Sequence, residues 1–374
     1  MGKYALSPYM ACGHGCLYCD GRAERYWVEG DFERDIVVRG NLPDLLSAEL
    51  PRLREPGFVS IGSGISDAYQ PVERDERLTR NVAAVLAEHE HPVVLMTKSS
   101  LVLRDLDLWR CVNERTRFML VMSLVHPDDG TRARFEPGAS PVAERLETLG
   151  AFHAAGCATG VLAMPLLPGL TDSDETIARL YDLLAAIPVD FIMPGGLTLR
   201  PGRQKECYRD AIAVHRPALL PLYDRLYAEN RPSGSPIDSY TRTLTARVRA
   251  HNRRVGIPEH VPHRIYHRLL PGYDEAQVLL HHMICAYEAA GTNTRRLRDA
   301  TSRYLSWLTR RKASYNRHPS WDYAELTEEV IAPGSLEEII ANERLSAFLR
   351  HVLVDDRVFD PIALELLPAD SDGS

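Results

Sequence analysis

The stretch "PVAERLETLGAFHAAGCATGVLAMPLLPG" (residues 141–169) predicts one helix that runs directly into one strand. Its first part spaces apolar residues three and four apart and ends at Gly156, a pattern typical of an amphipathic helix with a glycine cap. Its second part is a short and almost continuously apolar run, which is typical of a strand covered by helices on both faces. Because parallel strands need a long crossover between them, this stretch indicates one unit of a parallel α/β sheet.

The same alternation extends over the first two hundred residues. Short apolar runs predict six strands, at residues 3–8, 58–63, 92–98, 117–124, 157–169 and 189–200. Amphipathic segments predict the intervening helices, at residues 41–53, 77–89, 105–115, 141–156 and 173–187. Repeated units in this order predict a parallel sheet with right-handed crossovers. Six units are too few to close an eight-stranded barrel, so we predict an α/β fold with a partial (β/α)6 TIM-type barrel over residues 1–206, whose chemistry lies at the C-terminal ends of the strands.

From residue 207 onward, the pattern changes to successive helical segments. The clearest are "DEAQVLLHHMICAYEAAG" (274–291) and "RRLRDATSRYLSWLTRRKASY" (295–315). We therefore predict a mostly α-helical C-terminal region over residues 207–366. The polar residues 367–374 are expected to form a disordered tail.

The C-terminal region divides into a basic and an acidic segment. Residues 241–318 contain fifteen Arg or Lys against five Asp or Glu, and residues 319–374 contain three against thirteen. Tyrosine and tryptophan interleave with the arginines of the basic segment. This composition suits DNA or RNA, because arginine neutralises phosphates and aromatic rings stack on bases. The alternatives are a solvated helix face and pairing between the two segments.

Composition places the chain among ordinary globular proteins, with 45% hydrophobic and 25% charged residues. No apolar run is long enough to span a bilayer, and the N-terminus lacks the pattern of a secretion signal. We therefore expect a cytoplasmic protein without membrane attachment. The sequence gives no indication of its oligomeric state.

Three of the seven cysteines lie within eight residues, in "YMACGHGCLYCDGR" (9–22) directly after the first predicted strand. Cys12, Cys16 and Cys19 have the spacing CxxxCxxC. Thiolates suit zinc, copper(I) and iron–sulfur clusters. A closed zinc site needs a fourth ligand, for which the loop offers only His14. A [4Fe–4S] cluster held by three cysteines instead leaves one iron open for chemistry.

This loop resembles the cluster loop of the radical S-adenosylmethionine (SAM) superfamily. Further stretches resemble its spore photoproduct lyase-like group: "SDAYQPVE" (66–73), "LMTKSSLVLRDLDL" (95–108), "RFEPGASPVAERLETLGAFHAAG" (134–156) and "MPLLPGLTD" (164–172). The likeness covers residues 1–205. It implies a [4Fe–4S] cluster on the three cysteines, with SAM bound to the open iron.

The resemblance also implies a reaction. One electron, from an external donor of the flavodoxin or ferredoxin type, cleaves SAM to a 5′-deoxyadenosyl radical that abstracts a hydrogen atom from the substrate. Nucleic acid is the substrate that the basic segment suits. The alternatives are a peptide or small-molecule substrate, and an iron–sulfur or zinc protein that binds nucleic acid without radical chemistry.

Several SAM-binding residues are implied by the same stretches, namely Tyr18, Ser66, Asp67, Lys98, Ser123 and Arg145. Tyr18 matches the aromatic residue beside the adenine in the family. The residues at the strand ends match those that contact the methionine carboxylate and the ribose. Lys98 offers a positive charge for the carboxylate, and Arg145 could add a second.

The sequence departs from the lyase-like pattern at two places that concern the reaction. Asp20 stands where relatives prefer an aromatic residue. The lyase uses a further cysteine near the end of the second strand as a hydrogen donor, and "VSIGSGISDAYQP" (59–71) contains none. Thymine-dimer repair by that route is therefore not expected. Of the other cysteines, Cys207 is the best placed to donate hydrogen.

Overall fold

The computed structural model describes residues 2–62, 65–315 and 322–369, apart from the side chain of residue 315. The chain forms two compact units. The sheet unit contains Tyr4–Pro51 and Val59–Ile257. The helical unit contains Met1–Lys3, Arg52–Phe58 and Pro258–Ser374.

Six strands form the main sheet: β1 (Gly2–Leu6), β2 (Phe58–Ile61), β3 (Val93–Thr97), β4 (Phe118–Ser123), β5 (Ala158–Leu166) and β6 (Phe191–Gly196). They are hydrogen-bonded in chain order, and the pairs from β2 to β6 are parallel. Every residue of β4 is buried, as its continuous apolar run predicts. The prediction of a partial (β/α)6 barrel is confirmed.

Helices connect successive strands: α1 (Leu42–Glu49), α2 (Leu78–Ala87), α3 (Leu106–Arg115), α4 (Val142–Ala154) and α5 (Asp174–Ala185). All five form within the predicted segments. In α4 the apolar stripe is buried as expected, but the buried face also includes Arg145. Two shorter helices, Glu73–Glu76 and Asp129–Phe135, follow β2 and β4.

The sheet unit extends past residue 206, the predicted end of the core. It also contains α6 (Arg203–His215), α7 (Leu220–Leu226) and α8 (Asp238–Val255). Helix α8 buries Leu244 and Val248, and its Asn252 donates a hydrogen bond to the Ile192 carbonyl of β6. The compact units therefore divide at Ile257, because a narrow apolar stripe among the α8 arginines packs on the sheet.

The helical unit contains α9 (Gly272–Ala289), α10 (Arg295–Tyr315), α11 (Tyr323–Ile331), α12 (Ser335–Ile340) and α13 (Glu343–Leu353). A short helix, His263–Tyr266, precedes them. A hairpin of β7 (Arg357–Asp360) and β8 (Glu365–Pro368) follows them. The expected disorder from residue 367 is wrong for the first two positions, since Leu367 and Pro368 pair with β7. Residues 370–374 lie outside the described chain.

Many basic side chains of the helical unit are paired with carboxylates of the same unit. The pairs are Arg268–Asp356, Arg298–Glu288, Arg311–Glu329 and Lys312–Asp274. Two of these four pairs join the basic segment to the acidic segment. They agree with the alternative interpretation of the charge pattern, in which the two segments pair with each other. No helix in the described ranges is both long and apolar enough to cross a membrane.

Candidate cluster and cofactor site

The loop after β1 and the C-terminal ends of the strands surround a cavity of about 410 Å³. Of the residues predicted for the site, it is lined by Cys12, Cys16, Tyr18, Cys19, Ser66, Asp67, Lys98 and Ser123. The topology explains this arrangement, because parallel strands present all their C-terminal ends at one edge. Arg145 and Cys207 do not line the cavity.

The cysteine loop is folded tightly by its own backbone. The Cys12 N–H donates to the Phe32 carbonyl at 3.0 Å, and the Gly15 N–H donates to the Cys12 carbonyl at 3.2 Å. Gly15 has a φ of +62°, and a Cβ there would lie 3.2 Å from the Glu33 side chain. The left-handed conformation favours a glycine at this turn, and a Cβ there would require the Glu33 side chain to shift slightly.

The three sulfurs do not form a preassembled set of ligands for a single zinc ion. A tetrahedral zinc with Zn–S bonds of about 2.3 Å holds its sulfurs about 3.8 Å apart. Among the residues that the structure describes, only His263, His267 and Glu275 form a set of His, Cys, Asp or Glu whose ligand atoms all lie within 4.8 Å of one another. The cysteine sulfurs lie outside that limit. A polynuclear iron–sulfur cluster does not need that close spacing, because each thiolate binds a different iron.

Burial keeps these thiols protonated when no metal is bound. Burial raises the pKa of Cys16 to about 12, although the Lys98 ammonium lowers it. Burial also raises the pKa values of Cys12 and Cys19. Because only thiolates ligate metals, loading this site must release protons.

Lys98 directly follows β3 and carries a positive charge toward the cavity. Burial lowers its pKa, but the nearby Cys16 and Glu136 outweigh this effect, and the pKa lies above its usual value. In the described part of the chain, no carboxylate lies within ion-pair distance of its ammonium. The side chain is therefore free to bind an anionic group of a ligand.

Asp67 lines the cavity, yet its carboxylate is engaged by the protein. It accepts hydrogen bonds from the Thr97 hydroxyl at 2.7 Å, the Lys98 N–H at 2.9 Å and the Tyr69 N–H at 2.8 Å. His14 Nδ1 lies 3.4 Å from it. Burial would raise the pKa of Asp67, but His14 and these donors lower it to about 2. Asp67 thus holds the end of β3, and His14 contacts Asp67.

Arg145 lies in a buried network beside the cavity rather than in its wall. Its guanidinium is 1% exposed, pairs with Glu136 at 2.5 Å and donates to the Ser123 carbonyl at 2.8 Å. The Tyr18 hydroxyl donates to the same carboxylate. Burial would raise the pKa of Glu136, but the charge of Arg145 outweighs the effect of burial and lowers the pKa to about 2. The expected second charge for SAM is therefore used to hold Tyr18 and Ser123.

Glu136 was not among the predicted site residues. It lies in the stretch "RFEPGAS" (134–140), and that resemblance was the only sequence signal for it. Its partners, Tyr18 and Arg145, come from a different loop and a different helix. Because Glu136 meets these partners only after folding, no local sequence pattern predicts its role.

Asp20, the departure from the lyase-like pattern, is explained by an ion pair. Its carboxylate accepts from Arg200 Nε at 2.7 Å and from the Tyr26 hydroxyl at 2.5 Å. Arg200 follows β6. The pair therefore ties the end of the cysteine loop to the end of the last strand.

Cys207 lies on α6 and lines a separate hollow of about 160 Å³. Arg22 and Arg203 share that hollow, and Phe32 lines both it and the larger cavity. Burial raises the pKa of the half-buried Cys207 thiol.

Comparisons of sequence place this geometry in a known superfamily. The profile of the radical SAM superfamily matches residues 6–181. An uncharacterized protein of Mycobacterium tuberculosis is 30% identical over 254 residues, which cover 66% of this chain and 72% of that protein. An uncharacterized protein of Methanocaldococcus jannaschii is 28% identical over 178 residues, which cover 47% of this chain and 65% of that protein.

Solved structures show the same fold. A spore photoproduct lyase variant with bound AdoMet and dinucleoside spore photoproduct aligns with a TM-score of 0.51 at 16% identity, over 68% of this chain and 74% of that chain. Another variant of the lyase aligns with a TM-score of 0.50 at 15% identity, over the same shares. At sequence identities of 15% and 16%, these alignments show a shared fold and nothing further.

Proposed function

Because the chain belongs to the radical SAM superfamily, we propose that it binds a [4Fe–4S] cluster on Cys12, Cys16 and Cys19 and SAM in the adjoining cavity. The observation that carries the proposal is the shared cavity, which is lined by the three cysteines and by Lys98, a lysine without a carboxylate partner among the described residues. A reducing cytoplasmic compartment would keep these thiols available for iron.

When bound and reduced, the cluster on Cys12, Cys16 and Cys19 would supply one electron for cleavage of the C5′–S bond of SAM, with release of methionine, and so for hydrogen abstraction from the substrate. The chain's own residues bind and orient. Lys98 holds the methionine carboxylate, while Ser66 and Ser123 offer hydroxyls to the polar groups of SAM. Tyr18, fixed by its hydrogen bond to Glu136, presents its ring to the adenine.

Apolar side chains also line the cavity, and we assign them the exclusion of water. Met96, Leu162 and Leu197 are among its lining residues. They exclude water from the reacting atoms, which protects a reactive radical from side reactions.

We further propose nucleic acid as the substrate class. Two arginines of α10, Arg296 and Arg310, are exposed, and neither side chain has an ion-pair or hydrogen-bond partner in the described part of the helical unit. The lyase with the same fold binds a dinucleoside spore photoproduct. Hydrogen return from a cysteine by the lyase route is not part of the proposal, since Cys207 lies outside the cavity. A peptide or small-molecule substrate is the alternative.

Anaerobic reconstitution with iron and sulfide tests the proposed chemistry. We expect a brown protein with about four irons per chain, which cleaves SAM to 5′-deoxyadenosine when reduced by an external flavodoxin or ferredoxin. Deuterated DNA, RNA and peptide pools then identify the substrate by transfer of label into 5′-deoxyadenosine. A colourless zinc protein without this product would overturn the proposal.

The loss of one thiolate should abolish cluster assembly. Cys16→Ala is expected to reduce bound iron to background, because a [4Fe–4S] cluster held by three cysteines cannot spare one. Iron content and absorbance near the thiolate-to-iron band measure this. Cys111→Ala is the matched control, since Cys111 is exposed on α3 and lies outside the cavity. Equal iron in the Cys16→Ala variant and the wild type would contradict the assignment.

A further inference from the structure

The residues on both sides of Cys12 are held by one side chain, that of Gln70. Its Oε1 accepts from the Gly13 N–H at 2.7 Å, and its Nε2 donates to the Ala11 carbonyl at 3.1 Å. Gln70 is completely buried. It stands just after β2, outside the set of residues that line the cavity.

The backbone that Gln70 holds is strained. Ala11 is completely buried with a φ of +66°, a left-handed conformation that residues with a Cβ rarely adopt. Such a conformation persists only where surrounding contacts enforce it. The Cys12 N–H is itself bonded to the Phe32 carbonyl. Contacts at three successive residues therefore fix the direction in which the Cys12 side chain leaves the backbone.

A carboxamide is specifically suited to this position. One atom of the side chain must accept a hydrogen bond from the Gly13 N–H, and another must donate one to the Ala11 carbonyl. An ionised carboxylate cannot donate, and an apolar side chain can do neither. Gln70 Nε2 also lies 3.4 Å from the Ser66 hydroxyl, which lines the cavity. The same side chain thus joins the cysteine loop to the end of β2.

We propose that Gln70 is a positioning residue for the cluster ligand Cys12, acting through the backbone of Ala11 and Gly13. The inference rests on the proposed function, in which Cys12 binds the cluster. Groups that hold a metal ligand in place commonly affect metal binding almost as strongly as the ligand itself. Gln70 would therefore control how well the cluster is held without touching it.

The test compares three variants of the full chain. Gln70→Leu removes both hydrogen bonds at similar volume, and Gln70→Glu keeps only the acceptor for Gly13. Asn252→Leu is the matched control. Asn252 is also a buried carboxamide of the sheet unit, with bonds to Tyr181, Ile192 and Ile257, but it does not contact the cysteine loop.

Two measurements report on the position of Cys12. In the metal-free protein, the alkylation rate of Cys12 is measured by peptide mass spectrometry against the buried Cys157 as an internal reference. We expect this ratio to rise several-fold in Gln70→Leu and less in Gln70→Glu, and to stay unchanged in Asn252→Leu. In the reconstituted protein, iron loss to a chelator should be about 10- to 100-fold faster in Gln70→Leu, with an altered EPR spectrum of the reduced cluster.

The outcomes separate the two proposals. Wild-type values for Gln70→Leu, or equal changes in Asn252→Leu, would overturn the role of Gln70. If Gln70→Leu does not fold, Gln70→Glu decides in the same way. If the wild type takes up no cluster, the proposed function fails, while the alkylation ratio of the metal-free protein still decides whether Gln70 positions Cys12.

Discussion

Lys98 is the residue whose removal should separate SAM binding from cluster binding. Its charged ammonium faces the cavity without a carboxylate partner among the described residues. A hydrogen bond to a charged group contributes about 1.5–3 kcal/mol, so Lys98→Met should weaken SAM binding about 10- to 100-fold. Calorimetric titration with SAM measures the loss. The cluster absorbance should remain, because Lys98 is not a ligand.

A matched lysine controls for the loss of charge. Lys205 on α6 donates to Asn230 and lies outside the cavity. Lys205→Met should bind SAM like the wild type. If Lys98→Met loses cluster, fold and SAM binding together, or binds SAM normally, the assigned role of Lys98 is wrong.

The position of single residues at the cavity was predictable from sequence where it depends on a local pattern. The three cysteines and Lys98 each belong to one short stretch, and all of them line the cavity. The role of Arg145 was not predictable, because its partner Glu136 neutralises it only after folding. Asp20 likewise meets Arg200, 180 positions further along the chain.

At the scale of elements, periodicity was sufficient wherever helix and strand alternate. The five crossover helices form in their predicted segments because each has an apolar face of ordinary width. Helix α8 was not recognised as part of the sheet unit. Its buried Leu244 and Val248 stand among arginines, so its composition indicated a solvated basic segment.

A hydrogen-bonded network joins α9 to the C-terminal hairpin. The Phe359 N–H of β7 donates to His263 Nδ1, so Nε2 carries the proton and donates to Glu275 at 2.8 Å. His267 donates to Glu275 at 2.6 Å and to Asp356 at 2.8 Å. Both ring nitrogens of His267 face carboxylates, which favours its cationic form. In this arrangement the three side chains His263, His267 and Glu275 form one network of hydrogen bonds.

This network predicts how the stability of the helical unit depends on pH. Burial would raise the pKa of Glu275, but the two histidines lower it to about 2 from 4.5. Its stabilisation is thus present above pH 4.5 and lost as the pH falls through about 2. Burial lowers the pKa of His267, but Glu275 and Asp356 outweigh it and raise the pKa. That contribution is present below pH 6.5 and lost as the pH rises through the folded-state pKa.

Glu275→Gln tests the network. The shift of its pKa corresponds to about 3 kcal/mol. At pH 5 to 6.5, the urea midpoint of the helical unit should therefore be clearly lower in the variant than in the wild type. Near pH 2 the variant and the wild type should converge. Glu337→Gln, which alters a partly exposed pair with Arg350, should change little at either pH. An equal loss at both pH values would show that packing, not ionisation, explains the effect.

For the whole molecule, the sequence was sufficient for the sheet and for the edge that borders the cavity, but not for the division into compact units. Strand order follows chain order, so adjacent βα units determine the topology. The end of the sheet unit at Ile257 depends instead on long-range packing of α8. The excess of positive charge was visible in the sequence. Which basic side chains form ion pairs with which carboxylates was not, because the partners are determined by folding.

The dependence of nucleic-acid binding on salt is the prediction that tests the substrate class for the complete chain. Arg296, Arg303 and Arg310 repeat at intervals of seven on one face of α10, and Arg303 is partly engaged by the Ile340 carbonyl. Each phosphate contact contributes about 0.9 to the slope of log K against log salt for duplex DNA. The double variant Arg296→Ala/Arg310→Ala should therefore reduce the slope by about 1.8. Fluorescence anisotropy over a range of salt concentrations measures it.

Arg311→Ala is the control for this prediction, because the Arg311 guanidinium is paired with Glu329 and is not available to phosphate. Its slope should match that of the wild type. An unchanged slope in the double variant would exclude α10 as the contact surface. If the reconstituted wild type shows no salt-dependent binding to single- or double-stranded DNA or RNA, nucleic acid is not the substrate. The cavity would then have to accept a peptide or small molecule.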